Sequence, residues 1–144
     1  MKIAQEAILN TSMENLWKIL ADFSKYPEWN PVITSIEGTG SMDSILNLTL
    51  KLSGSRPQVT QATVTGFAAP RYFSFETNHR FGGWFYHEEW IFRMKEYNGA
   101  TNFIAEAYVT GLSLRFRRSK VEDAFRRSLF NWIDAFKERA MISA

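Results

Sequence analysis

Apolar residues recur at steps of three and four along the last stretch of the chain, about Ser119 to Arg139. Val121, Phe125, Leu129, Trp132, Ile133, Phe136 and Ala140 draw one stripe, which predicts an amphipathic helix. Arg126, Arg127, Asn131, Asp134, Lys137 and Glu138 fall mostly on the other side, and neither Pro nor Gly interrupts the run. At 1.5 Å per residue such a helix is about 30 Å long, enough to cross a small domain. Upstream, Lys2 to Leu9 alternates loosely and reads as a strand. Asn10-Thr11-Ser12 offers helix caps, Ser12 or Thr11 the better. Leu16, Ile19, Leu20 and Phe23 form a short helical stripe with Trp17 beside it, ending near Asp22. Pro27 can open a second, very short helix, and Pro31 drives Asn30 out of the α region.

Beyond that point the period changes to two. Val32 to Glu37 is a strand closed by Gly38-Thr39-Gly40. In Ile45 to Leu52, Leu46, Leu48, Leu50 and Leu52 face one way and Asn47, Thr49 and Lys51 the other, as in an antiparallel sheet covered on one side. Val59 to Phe67 and Arg71 to Thr77 follow, and Asn78 to Gly83 is a connection. Trp84 to Met94 is a long strand with Trp84, Tyr86, Glu88, Trp90, Phe92 and Met94 on one face. Phe85, His87, Glu89, Ile91 and Arg93 take the other. Tyr97-Asn98-Gly99 signals a hairpin into Thr101 to Gly111, where Phe103, Ala105, Ala107 and Val109 alternate with Asn102, Ile104, Glu106, Tyr108 and Thr110. Leu112 to Arg118 leads into the final helix. The prediction is an α+β fold, an antiparallel meander with the long helix across it. No repeat or linker divides it, so residues 1–144 read as one domain. A sheet of six or seven strands curls, which leaves room for a pocket under the helix.

Composition sharpens this picture in three ways. Aromatic content is 15%, with twelve Phe, five Trp and five Tyr, more than a compact core of this size needs, so some aromatics are candidates for a cavity wall or an interface. Cysteine is absent, which excludes disulfides and thiolate chemistry. The net charge of +2 hides an asymmetry: Arg115 to Arg139 carries eight Lys/Arg against four Asp/Glu, and the remainder is acidic. The cluster Arg115, Arg117, Arg118, Lys120, Arg126 and Arg127 is either a solvated face or a dock for anions. No zinc spacing, RNA-binding aromatic signature or helix-turn-helix pattern supports nucleic acid. No signal peptide and no stretch of about 20 apolar residues is present, so a cytoplasmic protein without stable membrane insertion is expected.

Trp17-Lys18-Ile19-Leu20-Ala21-Asp22-Phe23, followed by Tyr26-Pro27-Glu28-Trp29-Asn30-Pro31, resembles the SRPBCC group of the START-like and pollen-allergen-like helix-grip superfamily. That group is often labelled polyketide cyclase/dehydrase or lipid transport. Asn98-Gly99-Ala100-Thr101, Gly111 and the terminal amphipathic helix agree with it, and the likeness covers nearly the whole chain. The resemblance implies a curved sheet of about seven antiparallel strands wrapped around the C-terminal helix. It also implies an internal cavity between them and two short helices closing one end. Many relatives carry a His on the strand before the Asn-Gly hairpin and a Glu shortly before the late glycine. Here Trp90 and Ala107 align there, or Glu89 and Glu106 if the alignment slips by one. The apolar pair counts against a polar-substrate enzyme.

His87-Glu88-Glu89 is the one constellation with catalytic appeal. It is not a zinc motif, because position 91 is Ile and the segment is a strand. Alternation puts His87 and Glu88 on opposite faces. On the aromatic face Glu88 would be withdrawn from water, as a general acid or base requires; alternatively it lies at the strand's wet end, paired with an arginine. His79 falls in a probable loop. No Ser-His-Asp order and no phosphate-cradling loop appears, metal ligands are sparse, and no cofactor is expected. Trp29 and Tyr26 either gate a cavity or lock the short helix onto the sheet. Leu48, Leu50, Phe75, Tyr86, Trp90, Phe92, Phe125, Leu129 and Trp132 are the candidate pocket wall, with Trp29, Glu88 and Tyr108 added as ligand contacts. Such surfaces suit flat or acyl ligands; the competing reading is that they fill the space completely. The leading expectation is binding of a small hydrophobic molecule by a monomer or homodimer. The second is a cyclase/dehydrase- or hydrolase-like enzyme using Glu88, with Tyr86 or Tyr108 as a polar handle. The third is an interaction module with a basic face.

Overall fold

A computed structural model describes residues 1–78 and 84–143. The elements in chain order are β1 (Lys2–Leu9), α1 (Met13–Ala21), a 3-10 turn (Phe23–Lys25), α2 (Tyr26–Trp29), β2 (Ile33–Glu37), β3 (Ile45–Leu50), β4 (Gln58–Ala68), β5 (Tyr72–Asn78), β6 (His87–Tyr97), β7 (Ala100–Thr110) and α3 (Leu114–Ser143). The strands form one curved, antiparallel, seven-stranded sheet in the order β1-β7-β6-β5-β4-β3-β2. With α3 laid across it and two short helices after β1, this is the α+β helix-grip architecture. Of the predicted connection Asn78 to Gly83, Asn78 belongs to β5, and the rest, with His79 on it, lies outside the described residues.

Local chemistry accounts for the boundaries. Ser12 caps α1 by accepting from the Asn15 amide at 3.1 Å, and Asp22 follows its last residue. Pro27 sits in the first turn of α2. Asn30 has ψ 114° ahead of Pro31, and its side-chain oxygen accepts from the Val32 and Ile33 amides at 3.0 and 2.9 Å. Asn98 and Gly99 have φ of 47° and 83°, the paired left-handed residues that a tight hairpin matched to strand twist requires.

Several boundaries differ from the sequence reading by a residue or two, β3 for one ending at Leu50 rather than Leu52, and two differ by more. β6 starts at His87 rather than Trp84. Trp84 and Phe85 lie in a turn, where their carbonyls accept from the Leu112 and Ser113 amides, both at 3.0 Å. Helical structure begins at Leu114, earlier than predicted, but breaks at Arg117 (φ −132°, ψ 15°). The long uninterrupted part therefore begins close to the predicted start.

The core lies between the sheet's inner face and α3. Phe125, Leu129, Trp132 and Phe136 are fully buried. Trp90 meets Phe125 with ring centroids at 5.3 Å, Phe92 stacks on Trp132 at 4.7 Å, and Phe103 meets Phe136 at 4.7 Å. Burying each such side chain is worth about 1.5–3 kcal/mol, so the aromatic seam is what holds the helix to the sheet.

Candidate functional site

Alternation along β6 turns Glu88, Trp90, Phe92 and Met94 toward α3, and all four are buried. Glu88 is the polar exception on that face. Its neighbours two residues away stand on the same side and both donate to it. The Tyr86 hydroxyl lies 2.7 Å from one carboxylate oxygen and the Trp90 indole N–H 3.1 Å from the other. Glu88 is thus neither at a wet strand end nor paired with an arginine among the described residues. The nearby guanidinium of Arg117 lies instead over the Tyr86 ring, 6.0 Å from its centroid. Burial pushes the Tyr86 phenol far above the ordinary tyrosine range, and the Glu88 charge adds to that shift. The phenol therefore keeps its proton at neutral pH and donates it to the hydrogen bond with Glu88. A carboxylate has about four acceptor positions, so two hydrogen bonds leave Glu88 able to take a further donor.

The rest of the predicted wall comes together, but as solid packing. Phe75, Trp90, Phe92, Phe125, Leu129 and Trp132 are each 0% exposed, so no void large enough for a water molecule reaches them. Phe75 stacks on Trp90 at 6.2 Å. In the β6–β7 register Trp90 stands directly opposite Ala107, so the indole occupies the space that alanine leaves. Leu48 and Leu50 are buried on the inner face of β3. Among these wall residues only Tyr86 is half-exposed, so the wall comes nearest to the surface beside Glu88.

Several expected residues lie elsewhere. Tyr108 pairs with Glu89 in register and stands on the sheet's outer face, where its hydroxyl is 3.4 Å from Glu106 and Lys2 lies over its ring. It does not line the inner wall, because alternation places it opposite to Ala107 and Val109. Glu89 and Glu106 are outward as well. Glu106 is bound by Lys2 at 3.2 Å and Arg93 at 3.1 Å, so neither alignment puts a carboxylate at those positions on the helix side. His87 faces outward to Glu76 at 3.4 Å, apart from Glu88 as alternation required.

Trp29 packs on Tyr26, Trp132 and Phe136 at 5.3–5.4 Å, so it locks α2 to α3 rather than to the sheet. The Tyr26 hydroxyl donates to the Leu20 carbonyl, and burial holds that phenol well above its ordinary range. Trp29 also borders a surface concavity of about 300 Å³ with Lys18, Asp22 and Arg139; a second, of about 450 Å³, lies between Pro27 and Glu37. Neither includes Glu88.

Ser113 was missed by sequence reasoning. It is buried, its amide bonded to the Phe85 carbonyl and its hydroxyl without a hydrogen-bond partner among the described residues. A lone serine between a strand and a helix carries no sequence signal. Among the described residues, no group of three or more His, Asp or Glu is placed to hold a metal.

Comparison with known proteins agrees with this architecture. A START superfamily protein from Mycobacterium smegmatis has TM-score 0.79 and 19% identity over 99% of both chains. A hypothetical protein from Helicobacter pylori, jhp0584, has TM-score 0.80 and 10% identity over 97% of this chain and 88% of its own. The di-domain ARO/CYC protein BexL from the BE-7585A biosynthetic pathway has TM-score 0.73 and 10% identity, with 97% of this chain matching 50% of that one. No curated protein matches the chain. Residues 1–140 fit the model described as polyketide cyclase / dehydrase and lipid transport, and the chain belongs to that START-like family.

Proposed function

We propose that the chain binds a small hydrophobic molecule, lipid or aromatic and polyketide-like, at the Glu88 end of the interface between β6 and α3. The observation that carries this reading is the setting of Glu88: a buried carboxylate held by two neutral donors in an aromatic wall. Taking a polar group out of water costs free energy even when it is hydrogen-bonded, and an apolar side chain would pack the same wall without that cost. A carboxylate with spare acceptor capacity is useful to a ligand with a hydroxyl or amine on an apolar body. Trp90, Phe125 and Tyr86 are its neighbours there, and the remainder of the seam acts as the floor. The bound species is a small molecule rather than nucleic acid, and the protein works as a monomer or homodimer.

Native mass spectrometry of the purified protein, followed by denaturing extraction, tests this reading. A co-purifying apolar compound at unit stoichiometry supports it. A clean apo mass together with no uptake of an added fluorescent long-chain alcohol or amine refutes it.

A second use of the same pair, acid–base catalysis, is favoured by the 2.7 Å contact between Tyr86 and Glu88. Glu88→Gln separates the two. A carrier keeps its affinity to within about tenfold, whereas a general acid or base loses about 10²–10⁴ in turnover.

A further inference from the structure

Exposed apolar side chains gather at one place on the surface. Trp84 is 69% exposed and Phe116 89%, and Phe85 and Leu112 are open as well. The backbone bonds from Leu112 to Trp84 and from Ser113 to Phe85 tie these segments side by side, and the Trp84 and Phe85 rings meet edge to face at 5.8 Å. Single exposed apolar residues need no explanation, but a contiguous group marks a contact surface.

The same rim is basic. Arg115, Arg118 and Lys120 are exposed, and none forms an ion pair among the described residues. The next acids along the helix, Glu122 and Asp123, are both engaged by Arg126. No acidic residue stands in the first turn of α3, so these cations face the positive end of the helix dipole uncompensated.

We propose that this rim docks on an anionic lipid bilayer. Trp84, Leu112 and Phe116 enter the boundary between headgroups and acyl chains, while Arg115, Arg118 and Lys120 meet lipid phosphates. Aromatic and aliphatic side chains flanked by cations are the composition such a boundary favours. A polyanion in water would satisfy the cations and leave Leu112 and Phe116 exposed, which is why the bilayer is the better fit. The surface stands on its own observations and does not depend on what Glu88 binds.

The test uses the whole chain with phosphatidylcholine vesicles, with and without phosphatidylglycerol, read by co-sedimentation and by quenching of tryptophan fluorescence with brominated acyl chains. Trp84 is the tryptophan on this rim; Trp90 and Trp132 are buried and Trp17 and Trp29 half-buried. Expected is salt-sensitive binding to the anionic vesicles with quenching that vanishes in Trp84→Ser. Near an anionic surface each cation contributes about fivefold, so R115Q/R118Q/K120Q should bind about 100-fold more weakly. Phe116→Ser should weaken binding while leaving its salt dependence intact. Circular dichroism checks that these surface variants fold. Absence of binding to phosphatidylglycerol vesicles overturns the proposal, as does undiminished binding by the triple variant. Equal affinity for a soluble polyanion such as heparin, without bromolipid quenching, overturns it in favour of that partner class.

Discussion

Replacing Glu88 by leucine asks whether this carboxylate serves the fold or a ligand. In Glu88→Leu the Trp90 indole N–H loses its acceptor in a site with no access to water, a loss of about 1–3 kcal/mol. The Tyr86 hydroxyl loses its bond to Glu88 too, but the residue is half-exposed, so this costs less than about 1 kcal/mol. Against this stand the burial of a leucine side chain among Trp90 and Phe125, about 1.5–3 kcal/mol, and removal of a polar group held out of water, about 1–3 kcal/mol before its hydrogen bonds are counted. The balance is neutral to stabilising, from about 0 to 2 kcal/mol. For 144 residues each kcal/mol moves the midpoint by about 4 °C. Differential scanning calorimetry should therefore show Tm unchanged or raised by up to about 8 °C. Affinity for a ligand anchored through a hydroxyl or amine should fall about 10–100-fold. A drop in Tm of about 8 °C or more would refute the reasoning, because Glu88 would then be a structural group whose hydrogen bonds outweigh its desolvation.

Other perturbations probe the surrounding structure. Trp90→Ala should destabilise by about 3–5 kcal/mol in urea titrations; a loss below about 1.5 kcal/mol would mean that the indole does not fill the space opposite Ala107. Gly111→Ala should destabilise by more than about 2 kcal/mol, because φ is 125° and an added Cβ would overlap the Phe85 carbonyl; an unchanged melt would disprove that close approach. Ser12→Ala should cost about 1 kcal/mol through loss of the α1 cap, and Ser12→Asp should restore it. The Arg139 guanidinium, with Lys25, holds the Glu28 carboxyl below the usual range. Because that folded value is depressed, the pair's stabilisation is present above the unfolded carboxylate value, about 4.3, and is lost as pH falls through the folded one. Acid melts of Glu28→Gln and the parent protein should converge there; a constant gap at every pH would exclude the linkage.

The sheet and the long helix were legible because their burial follows period. Leu46, Leu48 and Leu50 alternate on β3, and the α3 stripe repeats at helical spacing, so each showed which face was inward. Periodicity does not say whether two inward faces touch. The apolar wall around Phe92 and Trp132 reads the same in the sequence whether it lines a void or meets at 4.7 Å. The start of β6 was misread for a related reason: Trp84 and Tyr86 continue the alternation of the strand, but the chain turns there and leaves Trp84 outside. Glu88's partners were within reach of the sequence, since residues two apart on a strand share a face. Tyr108 was grouped with the ligand contacts for its phenol although its own alternation put it opposite Ala107. Trp29 could have reached either sheet or helix, and only the fold shows that Trp132 and Phe136 receive it.

The strand order also sets a timetable for synthesis. β1 is made first, yet it lies at the sheet edge against β7, with Lys2 facing Tyr108 and Leu9 facing Thr101. A ladder joining residues so far apart forms slowly. On a ribosome β1 must wait, unpaired, until nearly the whole chain has emerged. The aromatic faces of β5 and β6 meet the same delay, since α3 comes last. During that interval the nascent chain presents an open edge and a bare apolar face, the state in which aggregation and chaperone capture compete with folding. Slowing translation within α3 should lengthen that exposure.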